Sequence, residues 1–231
     1  NQLVARVVQL KPDVFIGIDA PDFNLGVEKR LKAQAIPVIH YVSPTVWAWR
    51  AGRVKTIAKA TDRLMCLFPF EPDYFRHQTM AADYTGHPMA DEIPFDLSTA
   101  SARSTLGIEH SGTCIALLPG SRQSEVEKLF APMLDAAAIL AKRDPNTCFL
   151  IPAATELVRE HIESELLRHP GLNCRVFSSR SKDVMAAADV VICASGTATL
   201  EVMLVNRPMV VCYRLANATY RLAKWFRLVK S

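Results

Sequence analysis

The sequence predicts an α/β protein built of two βαβ domains in series that face a cleft, the first incomplete at its N-terminus. Three observations lead there. Short uninterrupted apolar runs alternate with helix-period segments along the chain, the pattern of parallel strands covered on both faces. A Pro- and Ser-containing stretch at residues 87–104 separates an earlier set of such runs from a later one. Finally, 231 residues with 50% hydrophobic content suffice for one large or two modest domains with a sizeable core.

In the first domain, strands are expected at 13–19, 38–42, 63–68 and 82–85, with helices at 25–35 and 54–60. Val4, Val7, Val8 and Leu10 have the spacing of a helix already under way, and the last residues stop inside another helical pattern. An internal piece of a longer protein is therefore expected. Residues 87–104, with His87-Pro88, Pro94 and the polar run from Ser98 to Ser104, read as a linker with no core of its own. The domains are accordingly set at 1–95 and 96–231. In the second, strands are expected at 114–118, 148–151, 174–177, 190–193 and 209–212. Helices fall between them at about 124–142, 155–168, 182–188 and 197–205, with a last one from about 217. Pro132 should kink the first of these or begin a fresh segment.

Composition narrows the function classes. A net charge of +4 without a clustered basic tract suits anionic substrates and argues against nucleic acid. No apolar run reaches membrane-spanning length. Six cysteines, at 66, 114, 148, 174, 193 and 212, lie in or beside apolar runs with no CxxC pair. They read as buried thiols of a reducing compartment, most simply the cytoplasm.

The second domain is organised around Leu117-Leu118-Pro119-Gly120-Ser121-Arg122-Gln123-Ser124-Glu125-Val126-Glu127. A strand stopped by Pro119 and Gly120 gives way to a helix, and Ser124 with Glu127 has the spacing of a capping box. Backbone N–H groups at such a helix start favour an anion, and Arg122 adds a charged fork beside them. A phosphate or diphosphate site is one reading; a capped turn with Arg122 solvated or paired to Glu125 is the other. The turn at Ala194-Ser195-Gly196-Thr197-Ala198-Thr199-Leu200-Glu201 repeats the design. There Ser195 and Thr197 could hold phosphate oxygens and Glu201 a sugar diol, or Ser195 or Thr197 could simply cap the helix. Two anion-ready junctions in one sheet suit a diphosphate-bearing nucleotide sugar.

In the first domain Asp19, in Gly17-Ile18-Asp19-Ala20-Pro21-Asp22-Phe23-Asn24, sits at a strand tip where a carboxylate can act as general base. Asp22 is assigned the helix cap. No metal site is expected, because no further ligand completes an oxygen cage. Trp47, Trp49 and Arg50, in Ser43-Pro44-Thr45-Val46-Trp47-Ala48-Trp49-Arg50, either line a sugar pocket or plug a long loop. His87 is either a hydrogen-bonded structural group or a cleft residue, and His40 is expected in a strand with its ring satisfied. Arg221, Lys224, Arg227 and Lys230 form one basic stripe that either touches an anionic membrane or faces solvent.

Together GIDAPDFN (17–24), HYVSPTVWAWR (40–50), TGHPMAD (85–91), LLPGSRQSEVE (117–127) and ASGTATLE (194–201) resemble the lipid-A-disaccharide synthase family. These are inverting glycosyltransferases of the two-Rossmann (GT-B) architecture. The resemblance implies transfer of 2,3-diacylglucosamine from UDP-2,3-diacylglucosamine to 2,3-diacylglucosamine 1-phosphate, giving the β-1,6-linked disaccharide of lipid A and UDP. It implies Asp19 as the base on the acceptor hydroxyl. Arg122, Ser121, Glu125, Ser195, Gly196, Thr197 and Glu201 fall at the UDP-sugar, and Trp47, Trp49, Arg50 and His87 on the acceptor side. It also implies a cytoplasmic protein attached peripherally to the inner membrane of a Gram-negative bacterium, with no cofactor and no metal; a homodimer stays open. The family's Gly-Glu-Thr-Ser-Gly-Asp-type opening loop, its acceptor-facing apolar helix and a late Asn-containing loop are not in these residues. Two other functions fit the same anion sites: a UDP-N-acetylglucosamine epimerase-like enzyme, and a nucleotide-binding fragment without activity.

Overall fold

The structure, a computed structural model, describes residues 2–46, 51–77, 80–94, 97–109 and 111–214, with the side chain of residue 51 left out. Contacts divide the chain into two compact units, Asn1–Ala90 and Asp91–Ser231. The first carries α1 (Gln2–Leu10), β1 (Phe15–Ile18), α2 (Pro21–Lys32) and β2 (Val38–Tyr41). A 3-10 turn (Ala51–Arg53) then leads into α3 (Val54–Ala60), followed by β3 (Arg63–Cys66), α4 (Glu71–Arg76) and β4 (Ala82–Tyr84). The division falls inside α5 (Pro88–Glu92).

The first sheet is parallel in the order β1-β2-β3-β4. Expectation and structure part over its cover. Gly17, Val38, His40, Leu64, Cys66 and Ala82 are buried, whereas Ile16 and Ile18 on the alternate positions of β1 are 49% and 63% exposed. The side chains of α2, α3 and α4 cluster with the buried set. Among the described residues the open face is therefore uncovered. The alternation that marks a half-covered sheet is hidden in β1, apolar on both faces, and shows only in the Arg63–Asp83 ion pair that β3 and β4 carry on the open one.

The helix expected at 25–35 begins earlier, at Pro21, whose fixed φ suits a first helical position. This corrects the role given to Asp22. The cap is Ala20, without a side-chain bond, and Asp22 lies in the first turn with its carboxylate 2.5 Å from Arg53 Nη2. Six residues further on, Glu28 is fully buried and accepts or shares a proton with His40 Nδ1 at 2.7 Å. His40 Nε2 and Glu28 Oε2 have no partner among the described residues, so the ring is satisfied on one side only, against expectation. Gly17 makes this pair possible: a Cβ there would stand 1.8 Å from Glu28 Oε1. A second buried carboxylate, Glu71, accepts from Ser43 Oγ and from the Phe68 N–H at 2.9 Å, tying together the loops that follow β2 and β3.

The second unit continues with α6 (Thr99–Thr105), β5 (Cys114–Leu118), α7 (Gln123–Arg143), β6 (Cys148–Ala153) and α8 (Glu156–Leu166). It ends with β7 (Cys174–Ser178), α9 (Ser181–Ala187), β8 (Val190–Ala194), α10 (Thr197–Leu204) and β9 (Met209–Cys212). Its parallel sheet has the order β7-β6-β5-β8-β9. Cys114, Ala116 and Leu118 of β5 pack with side chains of α6, α9 and α10. Ile115 and Leu117 pack on the other face with α7 and α8. This is a doubly wound sheet, and its strands are the unbroken apolar runs the pattern predicts.

Residues 87–104 are not a coreless linker. α5 lies within them and α6 begins there, Ser98 Oγ accepts from the Ser101 N–H at 3.3 Å to cap α6, and Ala102 is buried in the same core as Ile93, Leu106 and Ile108. The serines punctuate helix starts there. Pro132 does not begin a new segment either, since α7 runs unbroken through it. The ring removes the N–H that would bond the Lys128 carbonyl; Arg214 Nη1 donates to that carbonyl instead, at 3.2 Å. The helix expected from about 217 and its basic stripe lie outside the described residues.

All six cysteines are free thiols, buried or half-buried. Burial, helped by the nearby Glu71 carboxylate, pushes the Cys66 thiol up from 9.0 to about 12. Burial also lifts Cys174 to about 11. The unfolded Cys66 thiol ionises near 9.0 while the folded one keeps its proton, so its stabilisation is complete below pH 9.0 and is lost as pH rises toward about 12. Cys66→Ala should flatten the fall of unfolding free energy over that window, measured by urea titration at stepped pH; an unchanged slope contradicts the assignment. Gly17→Ala should destabilise the first unit by roughly 1–3 kcal/mol through overpacking against Glu28. Unfolding indistinguishable from the parent chain would show that Glu28 is not held there.

Candidate functional site

In the second sheet β5 lies between β6 and β8, so the connections that leave β5 and β8 diverge to opposite faces. This is the switch point at which open α/β sheets leave a crevice beyond the carboxyl ends of the strands. Here the crevice holds about 460 Å³ and is lined by the turn after β5 (Gly120, Ser121, Arg122, Glu125) and the turn after β8 (Ser195, Gly196, Thr197, Glu201). All seven second-domain residues singled out in the sequence meet in it.

Each turn is shaped by a local conflict between strand and helix. Gly120 stands at φ 124, and a Cβ there would lie 2.6 Å from Glu125 Oε2 and 2.8 Å from Glu125 Cβ. Only glycine permits both that backbone and that approach. The cap of α7 is Arg122, with an extended backbone and no side-chain bond, and its carbonyl accepts from the N–H groups of Glu125 and Val126. The expected capping box is thus absent: Ser124 already lies inside the helix. That leaves the Gln123 and Ser124 N–H groups in the first turn without an intrahelical acceptor. Arg122, its side chain 81% exposed, bonds Glu125 Oε1 at 3.0 Å.

Capping of α10 also differs from the structural alternative considered for it. Gly196 is the cap, with no side-chain bond, so neither Ser195 nor Thr197 serves. Thr199 Oγ1 returns to the Gly196 carbonyl at 2.6 Å. Ser195 keeps its hydroxyl for other work, but its N–H is committed to the Cys212 carbonyl at 2.9 Å. The N–H groups of Thr197 and Ala198 are the ones without an intrahelical acceptor. Two helix starts, each with a positive dipole end, therefore open on one crevice whose only basic lining residue among the described residues is Arg122.

Sequence reasoning missed the third side. Pro152 and Ala153 at the end of β6, Ala154 just beyond it, and Ser179 and Ser181 after β7 also line the crevice. Ser178-Ser179-Arg180-Ser181 has the same strand–small turn–helix signature as the two turns that were recognised.

In the first unit, Asp19 follows β1 directly. It is exposed, has φ 50, and its N–H bonds the Tyr41 carbonyl at 2.9 Å. Its carboxylate has no hydrogen-bond or ion-pair partner among the described residues. His87 Nδ1 accepts from the Met89 N–H at 3.2 Å, at the start of α5. Trp47, Trp49 and Arg50 lie outside the described residues. Among the described residues no three His, Cys, Asp or Glu side chains gather as metal ligands would, and no helix is long and apolar enough to cross a membrane.

Comparison with known proteins places these turns in context. The chain is 47% identical over 226 residues to the lipid-A-disaccharide synthase of Azoarcus sp. (strain BH72), which covers 97% of this chain and 58% of that protein. The Xanthomonas oryzae pv. oryzae (strain MAFF 311018) enzyme of the same name is 47% identical over 227 residues, 97% of this chain and 52% of the relative. The chain thus spans about half the length of the curated relatives it matches. Among solved structures, it resembles a UDP-GlcNAc 2-epimerase from Neisseria meningitidis bound to UDP-GlcNAc, with TM-score 0.63, 15% identity and coverage of 96% and 65%. An S. aureus MnaA–UDP co-structure gives TM-score 0.65, 13% identity and coverage of 96% and 64%. At such identities the likeness is one of fold, the GT-B class expected from the sequence. The family model described as lipid-A-disaccharide synthetase matches residues 1–231, and the chain belongs to that family.

Proposed function

We propose that the protein of which this chain is part transfers 2,3-diacylglucosamine from its UDP derivative to 2,3-diacylglucosamine 1-phosphate, forming the β-1,6 disaccharide of lipid A and releasing UDP. The observation that carries this reading is the switch-point crevice, in which the turns after β5 and β8 bring Arg122 and two helix starts together. Family membership supports the choice of sugar and acceptor.

The chemistry follows from what a pyrophosphate needs. UDP departs with the electron pair of the broken bond between the sugar anomeric carbon and the phosphate oxygen. Its growing charge is met by fixed N–H donors at Gln123, Ser124, Thr197 and Ala198. Arg122 turns from Glu125 to the phosphates, exchanging an exposed ion pair of small worth for a charge-assisted pair of bonds. Ser121 and Ser195 offer hydroxyls, and Glu201 accepts from a sugar or ribose diol. A diphosphate is already a good leaving group, so one carboxylate suffices, unlike the two of glycoside hydrolysis. That carboxylate is Asp19, which takes the proton of the acceptor hydroxyl as its oxygen bonds the anomeric carbon; a single displacement inverts that centre. Acyl chains on both substrates suit peripheral attachment to the inner membrane.

Two measurements test this. Calorimetry with UDP should give binding that Arg122→Ala weakens by about 10–100-fold, the worth of a hydrogen bond to a charged group. Equal heats from both proteins would remove Arg122 from the site. With the whole reading frame expressed, disaccharide formation from the two lipid substrates should fall on the order of 10²–10⁴-fold in Asp19→Ala. Undiminished turnover in that variant, or no disaccharide from the parent enzyme, would overturn the assignment.

A further inference from the structure

Asp19 and Ala20 both leave β1 in the left-handed region, at φ 50 and φ 42. Two successive L-residues there are unusual, and alanine gains nothing by it. Such a pair persists only where its surroundings over-determine it. The Asp19 N–H is held by the Tyr41 carbonyl of β2. On the other side, Asn24 Nδ2 donates to the Ile18 carbonyl at 3.0 Å and to the Asp19 carbonyl at 2.8 Å. One amide nitrogen thus spends both its hydrogens on consecutive carbonyls.

The root of Asn24 is itself fixed. Its N–H bonds the Ala20 carbonyl at 3.0 Å. Helix capping does not account for the side chain, because α2 is capped at Ala20 and Asn24 lies four residues on, inside the helix. Meanwhile the Asp19 carboxylate is left without a partner among the described residues.

We infer that Asn24 is a positioning residue: its carboxamide locks the left-handed turn that aims the Asp19 carboxylate at the acceptor hydroxyl. The inference rests on the reading of Asp19 as general base. Asn24 suits the task because it presents two uncharged donors. An aspartate of the same shape would turn acceptor oxygens toward two carbonyls and add a second charge beside the base.

The test is steady-state kinetics of the whole enzyme with UDP-2,3-diacylglucosamine and 2,3-diacylglucosamine 1-phosphate. Asn24→Ala and the equal-volume Asn24→Asp should each lower kcat on the order of 10²-fold, the cost of misaiming a reacting group by about 1 Å. The donor KM should stay within about twofold of the parent value in both. Asn24→Asp serves should Asn24→Ala not fold, with thermal melting as the control. The deciding arm is the pair with Asp19→Asn: once the base is gone, adding Asn24→Ala should cost at most about twofold more. Losses that multiply in the double variant would assign Asn24 a structural role alone, and kcat within about twofold in both single variants would remove its role altogether. Full activity in Asp19→Asn would instead remove the base reading, and this inference with it.

Discussion

The second unit depends on a constraint of topology. Two parallel strands, β5 and β8, run side by side, and each must feed a helix that packs on a different face of the sheet. The chain cannot close the gap between those departures, so a crevice remains where both helices begin. Helix starts carry N–H groups with no internal acceptor, and here no side chain caps either of them. The fold thus presents unmet donors and two dipole ends to one space. Arg122 adds a full charge, paired with Glu125.

The first unit solves a different problem, that of carrying a carboxylate on a rigid support. Gly17 lets Glu28 lie against β1, where it meets His40 of β2, and Asn24 clamps the turn beyond. Buried carboxylates are costly unless bonded. Glu28 and Glu71 each spend theirs on linking elements that carry loops at the carboxyl ends of strands. Rigid backbone and unengaged side chain, among the described residues, meet at Asp19, which suits the base role proposed for it.

Much of the second unit was legible because its strands are fully buried: five apolar runs with capped or glycine-marked turns leave few alternatives, and the two anion-ready turns carried their own signatures. The third wall, at Ser179 and Ser181, bears the same signature with Arg180 between them, but it lacks the glycine that marks the other two turns. The first unit was harder. Its strands are three or four residues long; β1 is apolar on both faces, and only Arg63 of β3 and Asp83 of β4 mark the face left open among the described residues. Helix caps were misassigned where backbone did the capping. At Ala20, Arg122 and Gly196 no side chain serves, so Asp22 and Ser124 pointed two positions too far along, and Ser195 and Thr197 one position to either side. Glu28 and His40 were opaque for another reason: a buried ionisable pair is visible only once α2 and β2 are brought together.

Diffraction from the chain soaked with UDP tests the central claim most directly. The account predicts the pyrophosphate in the crevice beyond β5 and β8, accepting from N–H groups of both the Gln123–Ser124 and the Thr197–Ala198 turns, with the Arg122 guanidinium turned from Glu125 onto a phosphate oxygen. A diphosphate bound elsewhere, or touching only one of the two turns while Arg122 stays on Glu125, would contradict it.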